Sequence, residues 1–389
     1  MFSVLLVIIY IAFISLGLPD SILGSAWPSM YEELQVPVSY VSIISMIIAG
    51  GTIVSSMFSG KIIAALGTGK VTTVSVAMTA VALFGFSVSS SFTALCLWGI
   101  PYGLGAGSVD AALNNYVAVH YQSRHMNWLH CFWGVGATVG PYIMGLCLTH
   151  HLTWNNGYQI IGVLQTLLVV ALLFSLPLWK KPVQEEGKDA KDNKVKITEV
   201  LKMKGALGVL VAFFSYCAVE TTAGLWASSF LVFEKGIDAE TAAKYASLFY
   251  LGITAGRLIS GFVSDRMGDK NMVRIGQSLC VVAILLFFLP LGATATLIAL
   301  ILLGIGCAPV YPGLIHATPV NFGPEQSQAI MGVQMGCAYI GTTFMPVIFG
   351  GITDLIGFGI YPIFLLVVLV LMILVTEHIN RTMVKQTNN

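Results

Sequence analysis

Long apolar runs, divided by short polar or glycine-containing breaks, set the rhythm of this chain. Windows of about 20 apolar residues, the length a helix needs to cross a bilayer, fall near 2–30, 38–64, 72–91, 94–118, 127–149 and 157–179. A second set falls near 206–233, 242–264, 272–291, 294–317, 328–352 and 358–376. Between the sets lies the only long charged stretch, 180–205, which reads as an intracellular linker with a short interfacial helix around Ile197 to Lys204. The pattern predicts an all-α integral membrane protein of twelve transmembrane helices: a six-helix half over 1–179, the linker, and a second six-helix half with a short tail over 206–389.

Composition agrees with the pattern. Hydrophobic residues make up 56% of the 389 and charged residues 10%, with a mean hydropathy of +0.84, outside the range of water-soluble domains. A net charge of +1 leaves no broad basic surface for nucleic acid. Gly24, Ser25 and Ala26 resemble a signal cleavage site, but no Lys or Arg precedes the first apolar run and that run exceeds an h-region, so it reads as the first span. Cys96, Cys131, Cys147, Cys217, Cys280, Cys307 and Cys337 are scattered singly and read as small packing residues.

Charge position sets orientation. With the N-terminus inside, 17 of the 19 Lys and Arg residues fall on the cytoplasmic side and only Lys235 and Lys244 outside, the asymmetry the positive-inside rule requires. Both termini are expected in the cytoplasm, in a cell inner membrane. The halves also repeat: "GTIVSSMFSGKIIAALGTGK" from 51 pairs with "GITAGRLISGFVSDRMGDK" from 252 at an offset of 201, and "GATVGPYIMG" from 136 pairs with "GTTFMPVIFG" from 341. Six spans is an even number, so both copies run the same way. Repeats of that kind build a pseudo-two-fold about the membrane normal with a cavity between halves.

The stretch "GFVSDRMGDK" (Gly261, Asp265, Arg266, Gly268, Lys270) resembles the loop motif G-x-x-x-D-R-x-G-x-K/R of the major facilitator superfamily, at the cytoplasmic place that family requires. The resemblance covers the whole chain and implies a transporter in which this loop acts as a cytoplasmic gate. Asp265 would cap and charge a helix end near Arg266, with Gly261 and Gly268 allowing tight turns and close helix contact. The first half departs from the motif, with Ala64 and Ala65 where Asp and Arg would stand. Within the superfamily, "GLPDSILGSAWPSM", "GAGSVDAALNNYVAVHYQSRHMNWLHCFWGVGATVGP", "VETTAGLW" and "CAPVYPGLIHATP" look like the fucose permease group of sugar/proton symporters. That resemblance places coupling acids at Asp20 and Asp110.

Of 18 acidic residues, only Asp20, Asp110 and Glu220 lie within spans. Ionised and facing lipid, three carboxylates would cost roughly 8–10 kcal/mol together, so they must face water or one another, or carry protons. The basic residues are assigned to loops and helix ends, Arg257 lying nearest to a span interior, and unpaired acids favour proton or cation coupling. Asp20, Asp110 and Glu220 are therefore the candidate proton-coupling residues. Asn114, four residues after Asp110, shares its helical face.

Asp20, Asn114, Asn115, Asn127, His130, Trp133, Glu220, Trp226, Tyr311, Gln334 and Tyr339 form the candidate substrate set, since sugar sites pair hydrogen-bonding groups with aromatic faces. Trp27 and His316 belong to the same intramembrane polar group; His150, His151 and Trp154 read as external. No metal centre or organic cofactor is implied; a proton gradient, with sodium as the alternative ion, would drive transport of a small polar solute by a monomer in the bilayer. No catalytic motif appears, and "GLGAG" at 103–107 lacks the strand and lysine of a nucleotide loop. The expectation is sugar or polyol uptake by proton symport. The rival is drug or metabolite export by antiport, suggested by Gly136, Gly140, Pro141 and Gly145 in the fifth span.

Overall fold

The computed structural model describes residues 4–121, 123–179, 197–289, 292–322 and 324–387. Most of the 180–205 linker, 180–196, lies outside them. The first six spans are α1 (Val4–Asp20) continued by α2 (Ile22–Glu33), α3 (Val41–Leu66), α4 (Thr68–Ser87), α5 (Phe92–His120), α6 (Ser123–Thr149) and α7 (Trp154–Ser175). After the short α8 (Ile197–Lys202) come α9 (Ala206–Phe233), α10 (Ala239–Met267), α11 (Asp269–Phe287), α12 (Gly292–Cys307) continued by α13 (Val310–Phe322), α14 (Pro324–Ile356) and α15 (Tyr361–Thr387). Twelve of these stretches are long and apolar enough to cross a membrane.

The first and tenth spans are interrupted, the first at Ser21 just after Asp20, within the break that Gly17, Pro19 and Gly24 indicate in the sequence, and the tenth at Ala308–Pro309, which the hydropathy pattern does not show. Proline explains the weakness before the first break. Pro19 has no N–H and leaves the carbonyl of Ser15 without its helical partner. In a membrane that carbonyl needs another donor, and the Nε2 of Gln165 in α7 supplies it at 2.5 Å. Pro141 likewise frees the carbonyl of Ala137, which Ser21 Oγ meets at 2.7 Å.

Two compact units result, Met1–Gln184 with Leu225–Leu251 and Gly350–Phe358, and Glu185–Gly224 with Gly252–Phe349 and Gly359–Asn389. They follow the two halves except for two C-terminal segments that join the first unit. In that unit Leu225 approaches α2 so closely that a Cβ on Gly24 would strike its carbonyl oxygen, and Ser228 Oγ donates to the Ser25 carbonyl at 3.4 Å.

Lipid offers no hydrophobic drive between helices, so packing depends on close backbone approach. In the first unit α1 and α6 meet backbone to backbone: a Cβ on Gly17, Gly136 or Gly140 would overlap the carbonyl oxygen of Trp133, Ile14 or Leu18 respectively. Phe13, Val109, Leu113, Leu129 and Leu172 fill the space beside this contact. The second unit repeats the device, with Gly341 of α14 against the Phe214 carbonyl of α9. The fifth-span glycines suggestive of export thus have a packing counterpart in the eleventh span.

The α3–α4 and α10–α11 turns are superposable in kind. Gly67 (φ 82°, ψ 152°) and Gly268 (φ 73°, ψ 154°), 201 positions apart, adopt the same glycine-only conformation. Gly261 differs from expectation: it lies inside α10 with no described atom within 4 Å of an added Cβ, so it mediates no close helix contact. Arg266 and Lys270 are exposed, and the side chain of Asp265 lies outside the described residues.

Candidate functional site

The break between α1 and α2 leaves Asp20 as the last residue of a helix, on the exposed side of α1 within the span. Its carboxylate is engaged at both oxygens: Tyr102 Oη of α5 donates to Oδ1 at 2.9 Å, and Trp133 Nε1 of α6 donates to Oδ2 at 2.9 Å. Tyr102 is itself buried, so this donor is fixed by packing. With Asp20 ionised, each bond would join a charged acceptor to a neutral donor, the kind worth about 1.5–3 kcal/mol.

Asp110 lies two turns further along α5, close enough to Asp20 for one charge to act on the other. Asn114 Nδ2 donates to its Oδ1 at 2.9 Å, and the same amide reaches the Asp110 carbonyl at 3.0 Å. The i, i+4 spacing therefore does what the sequence predicts. His130 of α6 sets its ring edge-on to Phe13 of α1, centroids 5.8 Å apart. Behind Tyr102 is a small cavity with room for about one water molecule, bordered by Ser15, Thr79, Tyr102 and Gln165. The Oε1 of Gln165 is buried without a hydrogen-bond partner.

In the second unit Glu220 of α9 faces Arg257 of α10, Oε1 to Nη2 at 3.7 Å. This corrects the expectation that the intramembrane acids are unpaired. Arg257 lies well inside the span Ala239–Val263, and its charge offsets that of Glu220. Tyr216, one turn before Glu220, is buried beside both charges.

The remaining candidates are placed as follows. Tyr311 packs on Phe213 and Tyr216 with ring centroids 4.9 and 5.9 Å apart, its hydroxyl toward Met335 Sδ at 3.6 Å. Tyr339 is half-buried in α14. Trp226 and Gln334 are both fully buried, Trp226 against Phe358 and Gln334 accepting from Thr318 Oγ1 at 3.0 Å, so they serve packing in this conformation. Trp27 is also fully buried, donating to the Val38 carbonyl at 2.6 Å. His316 instead joins Asp269 at 2.6 Å. Trp154, at the start of α7, is buried and donates to Glu33 at 2.6 Å. The side chains of Asn115 and Asn127 lie outside the described residues. Among the described residues no group of three or more His, Cys, Asp or Glu side chains could hold a metal ion.

Sequence reasoning missed Tyr102, Gln165 and the Arg257 pairing. Tyr102 carried a weak signal, eight residues before Asp110 on a helix, where i and i+8 lie toward one face. The contacts of Gln165 and Arg257 join distant segments and carry no local pattern.

Comparison with known proteins places this geometry. The chain is 21% identical over 288 residues to "Bypass of stop codon protein 6" of Saccharomyces cerevisiae, covering 67% of this chain and 57% of that protein. It thus spans little more than half the length of this relative. It is 22% identical over 311 residues to the glucose/mannose transporter GlcP of Bacillus subtilis, covering 78% and 77% of the two chains. It is 24% identical over 339 residues to the staphylopine export protein of Staphylococcus aureus, covering 82% and 81%. The solved structure of the nucleoside transporter NupG matches it with a TM-score of 0.79 over 97% of this chain and 98% of that one, at 14% identity. The model of the Major Facilitator Superfamily matches residues 9–293 and 208–386. The chain is a multi-pass membrane transporter, not an enzyme, and belongs to the major facilitator superfamily.

Proposed function

We propose that this transporter takes up a small neutral sugar or polyol together with protons, by alternating access across a cell inner membrane, with both termini cytoplasmic. The observation that carries the reading is the Asp20–Asp110 group, two carboxylates within one helical bundle whose hydrogen-bond partners differ. Asp20, bonded at both oxygens by Tyr102 and Trp133, is arranged as a fixed acceptor. Asp110, whose amide donor reaches Oδ1, is arranged to take a proton on its other oxygen. A proton there removes one of two neighbouring like charges. Substrate then binds, and the loaded carrier turns inward, where higher pH favours release. Coupling requires that proton and substrate bind the outward and inward states differently, not merely tightly. Relatives at about this distance include a sugar transporter, which supports the substrate class.

The test is uptake of labelled hexoses, pentoses and polyols into proteoliposomes under an inward proton gradient. Accumulation should collapse with a protonophore and be lost in Asp110→Asn, while Asp20→Asn should also lose substrate binding. Accumulation that follows a sodium gradient instead would replace the coupling ion. Proton exchange against a drug or another metabolite, with no sugar movement, would replace the symport reading with export.

A further inference from the structure

We infer that the small cavity behind Tyr102 binds one water molecule, which donates a hydrogen bond to Gln165 Oε1 and so braces the break in the first span. This site is independent of the substrate and the ion proposed above, and it adds Gln165 to the residues that shape the surroundings of Asp20.

The cavity lies at the proline. Pro19 and Ser15 of α1, Thr79 of α4, Tyr102 of α5 and Gln165 of α7 border it, all within the first unit. Gln165 is only 1% exposed, and the two ends of its amide are treated differently. The Ser15 carbonyl freed by Pro19 can only accept, so the atom facing it is the Nε2 donor, at 2.5 Å. That fixes Oε1 as the other end, buried and without a hydrogen-bond partner. Thr72 Oγ1 and Tyr158 Oη of the same unit are also buried and unpartnered, but neither residue borders the cavity.

The hydroxyls around the cavity have already spent their protons. Ser15 Oγ donates to the Ala12 carbonyl at 2.8 Å, Thr79 Oγ1 to the Val76 carbonyl at 2.8 Å and Tyr102 Oη to Asp20 at 2.9 Å. A hydroxyl has one proton, so toward the cavity all three can only accept, as can Gln165 Oε1. The occupant must therefore donate, and it must fit a space of one water. Water meets both demands, giving one proton to Gln165 and the other to one of the three hydroxyl oxygens, the minimum of two partners that a buried water needs. A cation does not fit: no carboxylate borders the cavity among the described residues, and an uncompensated charge inside a span is expensive. An amide is conjugated, so a proton donated to its oxygen strengthens its N–H as a donor. Water, amide and Ser15 carbonyl then form one chain from α7 into the broken helix just before Asp20, one of the ways in which a freed carbonyl is satisfied within a bilayer.

The test is electron density for the full-length protein at a resolution that shows ordered water elsewhere in the same unit. A single peak is expected in the cavity, within about 2.7–3.2 Å of Gln165 Oε1, the span of a hydrogen bond. No peak there, or a peak crowded by oxygens closer than a hydrogen bond allows, as around a cation, overturns the site. Val76 also borders the cavity, and Val76→Ile adds one methyl, a group of about the size of a water. Where that methyl displaces a bound water, the Gln165 oxygen loses its donor and the unfolding temperature in detergent should fall by about 2 °C or more; filling a dry cavity would raise it. Gln165→Met has no oxygen to satisfy, so in that background Val76→Ile should not lower the temperature further. A rise in the wild-type background, or an equal fall in both, overturns the water bond to Gln165. Should Gln165→Met not fold, the density and the direction of the Val76→Ile shift still decide.

Discussion

Tyr102 and Trp133 each hold one oxygen of Asp20 at 2.9 Å, so their removal separates a binding role from a packing role. Tyr102→Phe and Trp133→Phe each withdraw a bond worth about 1.5–3 kcal/mol, and initial rates of gradient-driven uptake should fall about tenfold or more in either variant. Because both act on one carboxylate, the double variant should lose less than the product of the two. At the other extreme of consequence is Asp238, which caps α10 by accepting from the Thr241 N–H at 2.8 Å. That backbone bond, with the Thr241 hydroxyl and Lys244, holds its carboxyl below the ordinary value of 3.8. A depressed folded-state value stabilises the protein above the unfolded value and is lost as the pH falls through the folded one. Asp238→Ala should therefore cost about 1 kcal/mol at neutral pH. The gap to wild type in thermal unfolding should close progressively once the pH drops below 3.8.

At the scale of helices, two kinds of close contact make opposite predictions for the same small change. Gly136 meets a backbone oxygen that cannot move aside, so Gly136→Ala should destabilise by about 1–3 kcal/mol, visible as a lower unfolding temperature in detergent. Gly261 faces open space, and Gly261→Ala should leave that temperature unchanged. Gln165→Leu tests the proline-freed Ser15 carbonyl; interhelical bonds in membranes average about 0.6 and reach about 1.7 kcal/mol, and the upper part of that range is expected because the acceptor has lost its helical donor. These contacts also show what was legible beforehand. Span number, the 201-residue repeat and the glycine turn at Gly268 follow from hydropathy and local chemistry, which are written in consecutive residues. The break near Asp20 was legible from Gly17, Pro19 and Gly24, whereas the break at Ala308 was not, because apolar residues continue through it; the donors that stabilise the first break come from elsewhere in the chain. Asp110 with Asn114 was readable for the same reason that Asp20 with Trp133 was not: one pair is a helical turn apart, the other 113 residues apart.

Among the described residues, the first unit holds the acids Asp20 and Asp110 within its spans, and the second holds Glu220 beside Arg257. Arg257 stood out in the sequence as the basic residue nearest a span interior, but its pairing with Glu220 did not, since an arginine near the end of an apolar run looks like a boundary residue until its partner is seen. The distance between Asp20 and its partners also bears on how the protein is made. Asp20 enters the membrane with α1, but Tyr102 and Trp133 lie 82 and 113 positions later. At a synthesis rate of roughly 5–20 residues per second, the second partner is added roughly 6–20 s after Asp20 itself. Throughout that interval the first span must be tolerated with a carboxyl group that nothing in the nascent chain yet satisfies. Nascent chains arrested before α5 should therefore remain crosslinkable to the insertion machinery through α1, and chains arrested after α6 should not. Replacing Asp20 by Asn should shorten that retention, so the residue proposed for coupling in the finished carrier would also set the pace at which its first helix is released into lipid.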